Sequence, residues 1–262
     1  MPSVAMHTAA AGMTAAQKLL EVTTGNITRQ NVNGDKRQHA LFSDTLYQNL
    51  QTAGAATSDA GTVTPIGVQI GLGVRLAGTA TILEQGALNT TGNTYDVAVQ
   101  GNGYLQVELP SGGTAYTRDG ALSISPEGTI VTKQGYTVIP AVTLPAGAVS
   151  VTINESGSVI AEIQGQDTPQ EVGQLELATF PNAAGLKREG GNLLTKTVAS
   201  GEASVGAPGS EGFGTLLQGF LESSNVNPIT EVANLIEASR SFELISKAMK
   251  SAEEVERTVT QI

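Results

Sequence analysis

The sequence contains no cysteine and no tryptophan, and aromatic residues make up only 4% of its 262 residues. Without cysteine the chain can form neither disulfides nor thiolate metal sites. Basic residues are also few, with 14 Lys and Arg against 24 Asp and Glu, and the net charge is −10. An acidic surface repels phosphate, so nucleic acid is not an expected partner.

No run approaches the roughly 20 apolar residues that span a bilayer, so we expect no membrane insertion. The amino terminus has no basic segment before an apolar run, so we expect no cleaved signal peptide.

Residues that could carry out catalysis are equally scarce. The two histidines, His7 and His39, lie far from any acidic cluster, and no Gly-x-Ser-x-Gly motif is present. The glycine pairs at 71–73 and 101–103 are not completed to Gly-x-Gly-x-x-Gly, and no helical pattern follows them, so they indicate turns. We therefore expect no enzyme activity, no cofactor and no metal site.

The middle of the chain has a period of two, which is typical of strands. Leu105, Val107 and Leu109 form one alternating set, and Val149 and Val151 begin another. Glycine-containing turn signals separate such sets from about residue 74 to 205. Closely spaced strands without helical patterns between them predict an antiparallel sandwich or barrel-like domain.

Residues 3 to about 32 have the apolar spacing of a helix. Apolar side chains recur at steps of three and four at Met6, Ala9, Met13, Ala16 and Leu20. Ala9 and Ala16 are small, which permits close approach to a partner helix. Thr23, Thr24 and Gly25 weaken the helix, so we expect it to depend on packing.

A second helix is predicted from residue 228 to the carboxyl terminus. Asn227 is a good N-cap, Pro228 fits the first helical position, and Glu231 complements the positive end of the helix dipole. A seven-residue repeat then places apolar residues on one face, and Val259 continues this stripe slightly around the helix. The repeat consists of Leu235, Ala238, Phe242, Ile245, Met249 and Ala252.

The segment between the first helix and the strands has a different composition. Residues 42–50 are compatible with a short helix or an extended segment. Residues 51–71 are rich in Gly, Ala, Thr and Ser and almost uncharged, which predicts a long loop.

Two helical ends that flank a β domain suggest self-assembly. Burying both apolar stripes is more favourable than exposing either, at about 25 cal/mol per Å², so we expect the two helices to pair as a coiled coil. Two thin helices cover only part of each other, so the rest of each stripe requires neighbouring copies. Head-to-tail contacts of this kind generate helical polymers when they do not close. We therefore assign the stripe residues named above to self-assembly.

Several long stretches resemble the axial proteins of the bacterial flagellar rod and hook. They include "QIGLGVR" at 69–75, "QGALNTTGNTYDVAVQGNGYLQVELPSGGTAYTRDGALSISPEGTIV" at 85–131 and "QGFLESSNVNPITEV" at 218–232. The resemblance implies a structural subunit, exported through the flagellar type III apparatus, in a hollow rod that transmits torque from motor to hook. It also implies contacts with proximal rod subunits, hook subunits and surrounding basal-body rings. The resemblance also associates the low-charge segment near residues 46–68 with distal rod subunits, because the ordinary hook subunit lacks such a segment.

Residues 24–37 depart from the pattern of this family, which reads approximately "ANNLANVSTNGFKR" there. Arg29 stands where the family pattern has asparagine, and Asp35 stands where it has an aromatic residue. The departure concerns the first helix and its exit, and leaves the β domain and the second helix unaffected.

The sequence thus predicts a mainly β fold with helical termini in three parts. Residues 1–36 and 220–262 form a core of terminal helices, 37–75 and 206–219 an extended connection with a long interface loop, and 76–205 an outer antiparallel β domain. A proximal rod or hook subunit is the nearest alternative. A secreted β-rich adhesin with a helical oligomerisation stalk is an alternative of another class, and a wall hydrolase is the alternative that the residues favour least.

Overall fold

A computed structural model describes residues 4–54, 65–164 and 168–260, with the backbone alone at Val4, Val259 and Thr260. Helix α1 spans Val4–Thr28 and helix α2 spans Pro228–Thr260. The chain between them is almost entirely strand and turn, so the prediction of a mainly β protein with helical ends is confirmed. The chain divides into two compact units, one of residues 1–27, 38–80 and 228–262, and the other of residues 28–37 and 81–227.

In the described residues between α1 and α2, there are twenty strands and one short 3-10 helix, Ala183–Gly185. The strands are β1 Gln38–Asp44, β2 Tyr47–Gln51, β3 Val68–Gly71, β4 Val74–Thr81, β5 Leu88–Thr90, β6 Val97–Gln100, β7 Tyr104–Glu108, β8 Thr114–Thr117, β9 Leu122–Ile124, β10 Ile130–Thr132, β11 Val138–Ile139, β12 Ala148–Ile153, β13 Ser158–Ile163, β14 Gln170–Gln174, β15 Leu177–Thr179, β16 Lys187–Gly190, β17 Leu193–Thr195, β18 Ser204–Gly206, β19 Thr215–Gln218 and β20 Phe220–Glu222.

The helices have the ends that their sequences favour. Helix α1 ends at Thr28, four residues before the predicted limit, and a turn follows in which the Val32 amide donates to the Arg29 carbonyl. Gly34, at φ 66°, adopts the left-handed backbone that glycine tolerates best. Helix α2 starts at Pro228, as predicted, with Glu231 in its first turn.

The first unit also contains two small sheets, β1 with β4 and β2 with β3. Residues 42–50 are therefore extended, which decides between the two predicted alternatives. The loop prediction is wrong for β3, since Val68–Gly71 pairs antiparallel with β2. Local composition cannot show a partner strand about twenty residues away, and that partner supplies the backbone hydrogen bonds. Residues 55–64 of the predicted loop lie outside the described residues.

The second unit is built around a seven-stranded sheet in the order β16-β17-β8-β7-β15-β18, with β11 also paired to β7. The pairings of β7 with β8, β11 and β15 are antiparallel. Both faces of β7 are covered: Leu105 and Val107 point into the main core, and Tyr104 points into a smaller cluster with Tyr116 and Phe180. This alternation is the period of two seen in the sequence.

The main core lies entirely within residues 97–216. It receives alternate residues of β12 and β13, including Val151 and Val159, whereas Val149 points to solvent. Strands β12, β13 and β14 form a separate antiparallel sheet over this core. The predicted antiparallel β domain is therefore confirmed.

Candidate assembly site

The predicted stripe of α1 remains partly accessible. Met6, Ala9, Met13 and Leu20 are half-buried and Ala16 is buried. The three most buried positions of the described helix, however, are Ala16, Thr23 and Asn26. At 3.6 residues per turn this buried line is turned by about 70° from the centre of the predicted stripe.

The predicted stripe of α2 coincides with the more protected face of that helix. Ala238 is buried, and Phe242 is 37% exposed. The side chain of Val259 lies outside the described residues. The remaining stripe residues are half-buried: Leu235, Ile245, Met249 and Ala252.

Two contacts bring α1 and α2 together within the first unit. A Cβ placed on Gly12 would lie 3.4 Å from the Ile245 Cδ1 atom, so the α1 backbone lies against this side chain. Near the other end of α1, the Asn26 Nδ2 donates to the Glu231 Oε2 at 3.2 Å, and both residues are buried. Sequence reasoning predicted the pairing of the helices but did not single out Gly12 or Asn26. A small or polar residue at heptad spacing is the signal that could have identified them.

Large apolar side chains are exposed mainly on the first unit. Among the described residues, the second unit contributes only Leu83, Ile124, Val149, Val198 and Val205 to this group. The first unit contributes many more: Leu41, Phe42, Leu46, Tyr47, Leu50, Ile66, Val68, Ile70, Val74, Leu76, Ile229, Val232, Ile236, Phe242, Leu244 and Val255. Extended apolar surface of this kind marks an interaction site.

A buried ionic cluster in the second unit was not foreseen from the sequence. Glu222 ends β20 within the "ESSNVN" stretch, and its side chain is fully buried. Its carboxylate accepts hydrogen bonds from Lys36 Nζ, from Arg118 Nε at 2.7 Å and from the Gly86 amide at 3.0 Å. The cluster thus ties the segment at 28–37 and the end of β20 to the residues that follow β8.

All three side-chain nitrogens of Arg118 donate hydrogen bonds within the protein. Its two terminal nitrogens donate to the carbonyls of Val99, Gly101 and Gly103, and its guanidinium carbon lies 5.8 Å from the centre of the Tyr104 ring. A buried guanidinium is stable only when its donors are matched in this way.

The cluster changes the acid–base behaviour of its members. Burial by itself raises the pKa of the Glu222 carboxyl, but the charge of Arg118 and the hydrogen bonds from Lys36 and Arg118 outweigh it, so the pKa lies below its usual value. Burial lowers the pKa of the Lys36 ammonium, and the hydrogen bond and charge of Glu222 oppose this without cancelling it. Nothing in this arrangement resembles a catalytic pair, because each group is occupied by structural partners.

The two unusual residues of the 24–37 segment pair with each other. Arg29 Nε lies 3.2 Å from Asp35 Oδ2, and Arg188 Nη1 lies 2.6 Å from Asp35 Oδ1. Arg188 also donates to the Lys36 carbonyl at 2.7 Å. An ion pair therefore occupies the position where an aromatic residue was expected, and it connects the segment to β16.

The described part of the chain offers neither a metal site nor a membrane-spanning helix. Within the described residues, no three His, Asp or Glu side chains are grouped so that they could hold a metal ion. No helix in the described part of the chain is long and apolar enough to cross a bilayer.

Comparison with known proteins identifies two domains and several relatives. Residues 98–161 match the family model "Flagellar hook protein FlgE/F/G D1 domain", and residues 217–262 match "Flagellar basal body rod FlgEFG protein C-terminal". The chain is 45% identical to the flagellar basal-body rod protein FlgG of Caulobacter vibrioides, with 98% of each chain covered. It is 41% identical to the FlgG protein of Borreliella burgdorferi, over 95% of this chain and 94% of the relative.

The rod protein FlgF of the same Caulobacter is less similar, at 29% identity over 92% of this chain and 90% of the relative. Within one organism, the FlgG protein is thus the better match. The end-to-end coverage includes both helical termini and the intervening β region. The chain therefore belongs to the FlgG family of flagellar basal-body rod proteins.

Proposed function

We propose that this structural protein of the flagellar distal rod builds the rod by self-polymerisation into a hollow helical shaft that transmits torque from the motor to the hook. The observation that carries the proposal is the concentration of exposed large apolar side chains on the unit that contains both terminal helices. The relatives are rod proteins and not enzymes.

Exposure of these side chains is costly in an isolated chain. Ile229 is 82% exposed and Leu244 is 66% exposed, and both lie on the side of α2 that faces away from its stripe. Each square ångström of apolar surface removed from water contributes about 25 cal/mol. A single α1 cannot cover more than one side of α2, so further copies are the occupants that complete the burial.

The assembly contacts are assigned to both stripes. On α1 they are Met6, Ala9, Met13, Ala16 and Leu20. About 70° separates the centre of this stripe from the most buried line of α1, so the half-buried stripe residues retain surface for neighbours. The two helices form a coiled coil at the centre of the shaft, a pairing supported by the Gly12–Ile245 contact. On α2 the assembly residues are Leu235, Ala238, Phe242, Ile245, Met249, Ala252 and Val259.

The three-part organisation fits the same role. Residues 1–36 and 220–262 form the core, 37–75 and 206–219 the connection, and 76–205 the outer domain. The strands β2 and β3 support a connecting role for the second part, because an isolated two-stranded sheet is marginal in water and gains stability from a covering neighbour.

The family implies assembly with other rod and hook components. The specific neighbours we propose are proximal rod subunits at one end, hook subunits at the other and the basal-body rings around the shaft. The site of action is the rod where it crosses the periplasm, reached through the flagellar type III apparatus. These proposals rest on the place of the family in the basal body.

Electron microscopy of the concentrated full-length chain tests the proposal. We expect straight tubes from the unaltered chain and none from Phe242→Lys, which adds a charge to the α2 stripe. Ile124→Lys is the matched control, because Phe242 and Ile124 are 37% and 38% exposed but lie in different units.

The outcomes separate the alternatives. Curved tubes would indicate a hook-type subunit, and discrete particles from the unaltered chain would indicate a binding module and overturn self-polymerisation. Tubes that persist in Phe242→Lys would overturn the assembly role of the α2 stripe.

A further inference from the structure

The contact line between α1 and α2 contains one buried polar contact among small apolar residues. Asn26 and Glu231 are 1% and 2% exposed, although both side chains are polar. Other buried or half-buried positions of the two helices include Gly12, Ala16 and Ala238, and Thr23 is a further buried polar residue of α1. Buried polar groups destabilise a helix pair unless partners satisfy them, so their presence requires an explanation.

Asn26 is held in place by the backbone of β1. Its Nδ2 donates to the Gln38 carbonyl at 2.8 Å, and its Oδ1 accepts from the Gln38 amide at 3.0 Å. This two-point contact fixes both the position and the orientation of the amide. The Nδ2 group, already anchored, also donates to Glu231 Oε2 at 3.2 Å. The start of β1 therefore holds the Asn26 amide in the orientation from which it donates to Glu231.

The two contacts between the helices also define their alignment. Gly12 lies 14 residues before Asn26, and its partner Ile245 lies 14 residues after Glu231. The residue numbers therefore rise along α1 while those of the contacting residues fall along α2, so the two helices are antiparallel. Because both separations are 14 residues, the helices stay aligned over roughly 21 Å, at 1.5 Å per residue.

Small apolar residues alone do not fix this alignment. Sliding α1 by one heptad would place Ala5 or Leu19 opposite Ile245 instead of Gly12, and apolar contact would be retained. The same slide would move Glu231 to the level of Leu19 or Asn33, away from the anchored amide. A carboxylate buried without its donor is costly, and a single buried polar pair is the best-known way to specify helix register.

We propose that Asn26 and Glu231 are positioning residues that fix the axial register of the two terminal helices. The register decides which residues of the α1 and α2 stripes come level with each other. If the proposed polymer forms, it inherits this alignment in every subunit. The register itself is a property of one chain and does not depend on polymerisation.

Disulfide cross-linking in the full-length chain tests the register, because the natural sequence has no cysteine and gives no background. Ile245→Cys is combined in turn with Gly12→Cys, the native level, and with Ala5→Cys or Leu19→Cys, each displaced by one heptad. In the otherwise unchanged chain we expect the Gly12 pair to close and the two displaced pairs to remain open. Equal closure of all three pairs would overturn the proposal.

The hydrogen bond between Asn26 and Glu231 is then removed by the double variant Asn26→Leu with Glu231→Leu, which leaves an apolar contact that favours no single register. We expect the ratio of native to displaced cross-links to fall by about tenfold or more, because the displaced registers no longer leave a buried carboxylate without its donor. Asn26→Ala is measured in parallel in case the double variant does not fold, and it should lower the same ratio. A ratio that stays unchanged in either folded variant would overturn the proposal.

Two conservative variants distinguish register from packing. Glu231→Gln keeps an oxygen that can accept from Asn26 and should restore the native cross-link pattern. Thr23→Val changes a side chain of α1 that is 3% exposed but takes no part in the Asn26–Glu231 hydrogen bond. This variant should leave the cross-link pattern unchanged. Displaced cross-links in Thr23→Val would mean that general packing, and not the polar contact, sets the register.

Discussion

At the scale of single residues, the most constrained side chain of the second unit is Glu222. It is buried completely, yet it carries a charge that Arg118 and Lys36 compensate at close range. Replacing a buried ion pair by apolar residues is often neutral, whereas removing one partner is strongly destabilising. The cluster is therefore expected to matter most when one member is changed alone.

The pH dependence of stability tests this compensation. Because the folded-state pKa of Glu222 lies below the usual 4.5, its contribution is complete above that pH and is lost as the pH falls through the folded-state value. We expect Glu222→Gln to cost about 3–5 kcal/mol at pH 7, because it leaves the charges of Lys36 and Arg118 buried without a compensating carboxylate. The difference from the unaltered chain should shrink on acidification to about pH 3, since glutamine does not titrate.

Urea unfolding at several pH values measures this difference. Glu202→Gln is the control, since the Glu202–Lys196 pair is largely exposed and should contribute little to stability. A Glu222→Gln deficit that is the same at pH 7 and pH 3 would contradict the assignment.

The ion pair of Arg29 and Asp35 shows how two departures from a family pattern can be one change. Each residue is unexpected by itself, but the structure places their charged groups 3.2 Å apart. From the sequence alone, Arg29 and Asp35 are two separate departures from the family pattern. Outside a helix, a separation of six residues does not imply that two side chains are in contact.

At the scale of elements, the approach of β5 and β20 requires glycine at position 86. A Cβ there would lie 1.9 Å from the Ser223 carbonyl oxygen, a distance that no packing adjustment short of a backbone shift can relieve. The two strands pair antiparallel, and the Ser223 amide donates to the Ala87 carbonyl at 2.9 Å. The end of β20 is thus held against the chain that precedes β5.

Gly86→Ala should therefore destabilise the second unit by about 1–3 kcal/mol, the usual cost of overpacking. Gly78→Ala in β4 is the control, because no atom lies within 4 Å of the added Cβ, and the change should be neutral or slightly stabilising. Denaturant midpoints of the two variants give the comparison. If Gly86→Ala had the same denaturant midpoint as the unaltered chain, the prediction would be wrong, because the backbone could then move away from the added Cβ without loss of stability.

At the scale of the whole molecule, the two units bury apolar surface differently. The main core of the second unit uses only residues 97–216, so neither helix contributes to it. The first unit instead leaves large apolar residues exposed on α2 and on its strands and connections. This difference is expected when one unit is stable by itself and the other is completed by neighbouring copies.

Deletion of residues 228–262 tests this division. We expect the truncated chain to lose assembly while the second unit stays folded, because its core is intact. Near-ultraviolet circular dichroism monitors the fold through Tyr104, Tyr116 and Phe180, whose rings pack edge to face. Electron microscopy monitors assembly, with the full-length chain as the control. Tubes from the truncated chain, or loss of its near-ultraviolet signal, would contradict the prediction.

The sequence by itself determined the elements whose signals are local. The period of two predicted the antiparallel strands, and Asn227 with Pro228 predicted the start of α2, because caps and alternation are properties of neighbouring residues. The long stretches shared with flagellar axial proteins predicted the family, which the relatives confirmed.

Only the tertiary structure decided which distant residues meet. The pairing of β2 with β3, the burial of Glu222 against Arg118 and the contact of Asn26 with Glu231 join positions that are far apart in the chain. The physical reason is that a hydrogen-bond or charge partner is chosen by proximity after folding. No local sequence pattern indicates which distant residue will be the partner. Helix caps and strand alternation, in contrast, can be seen among neighbouring residues of the sequence.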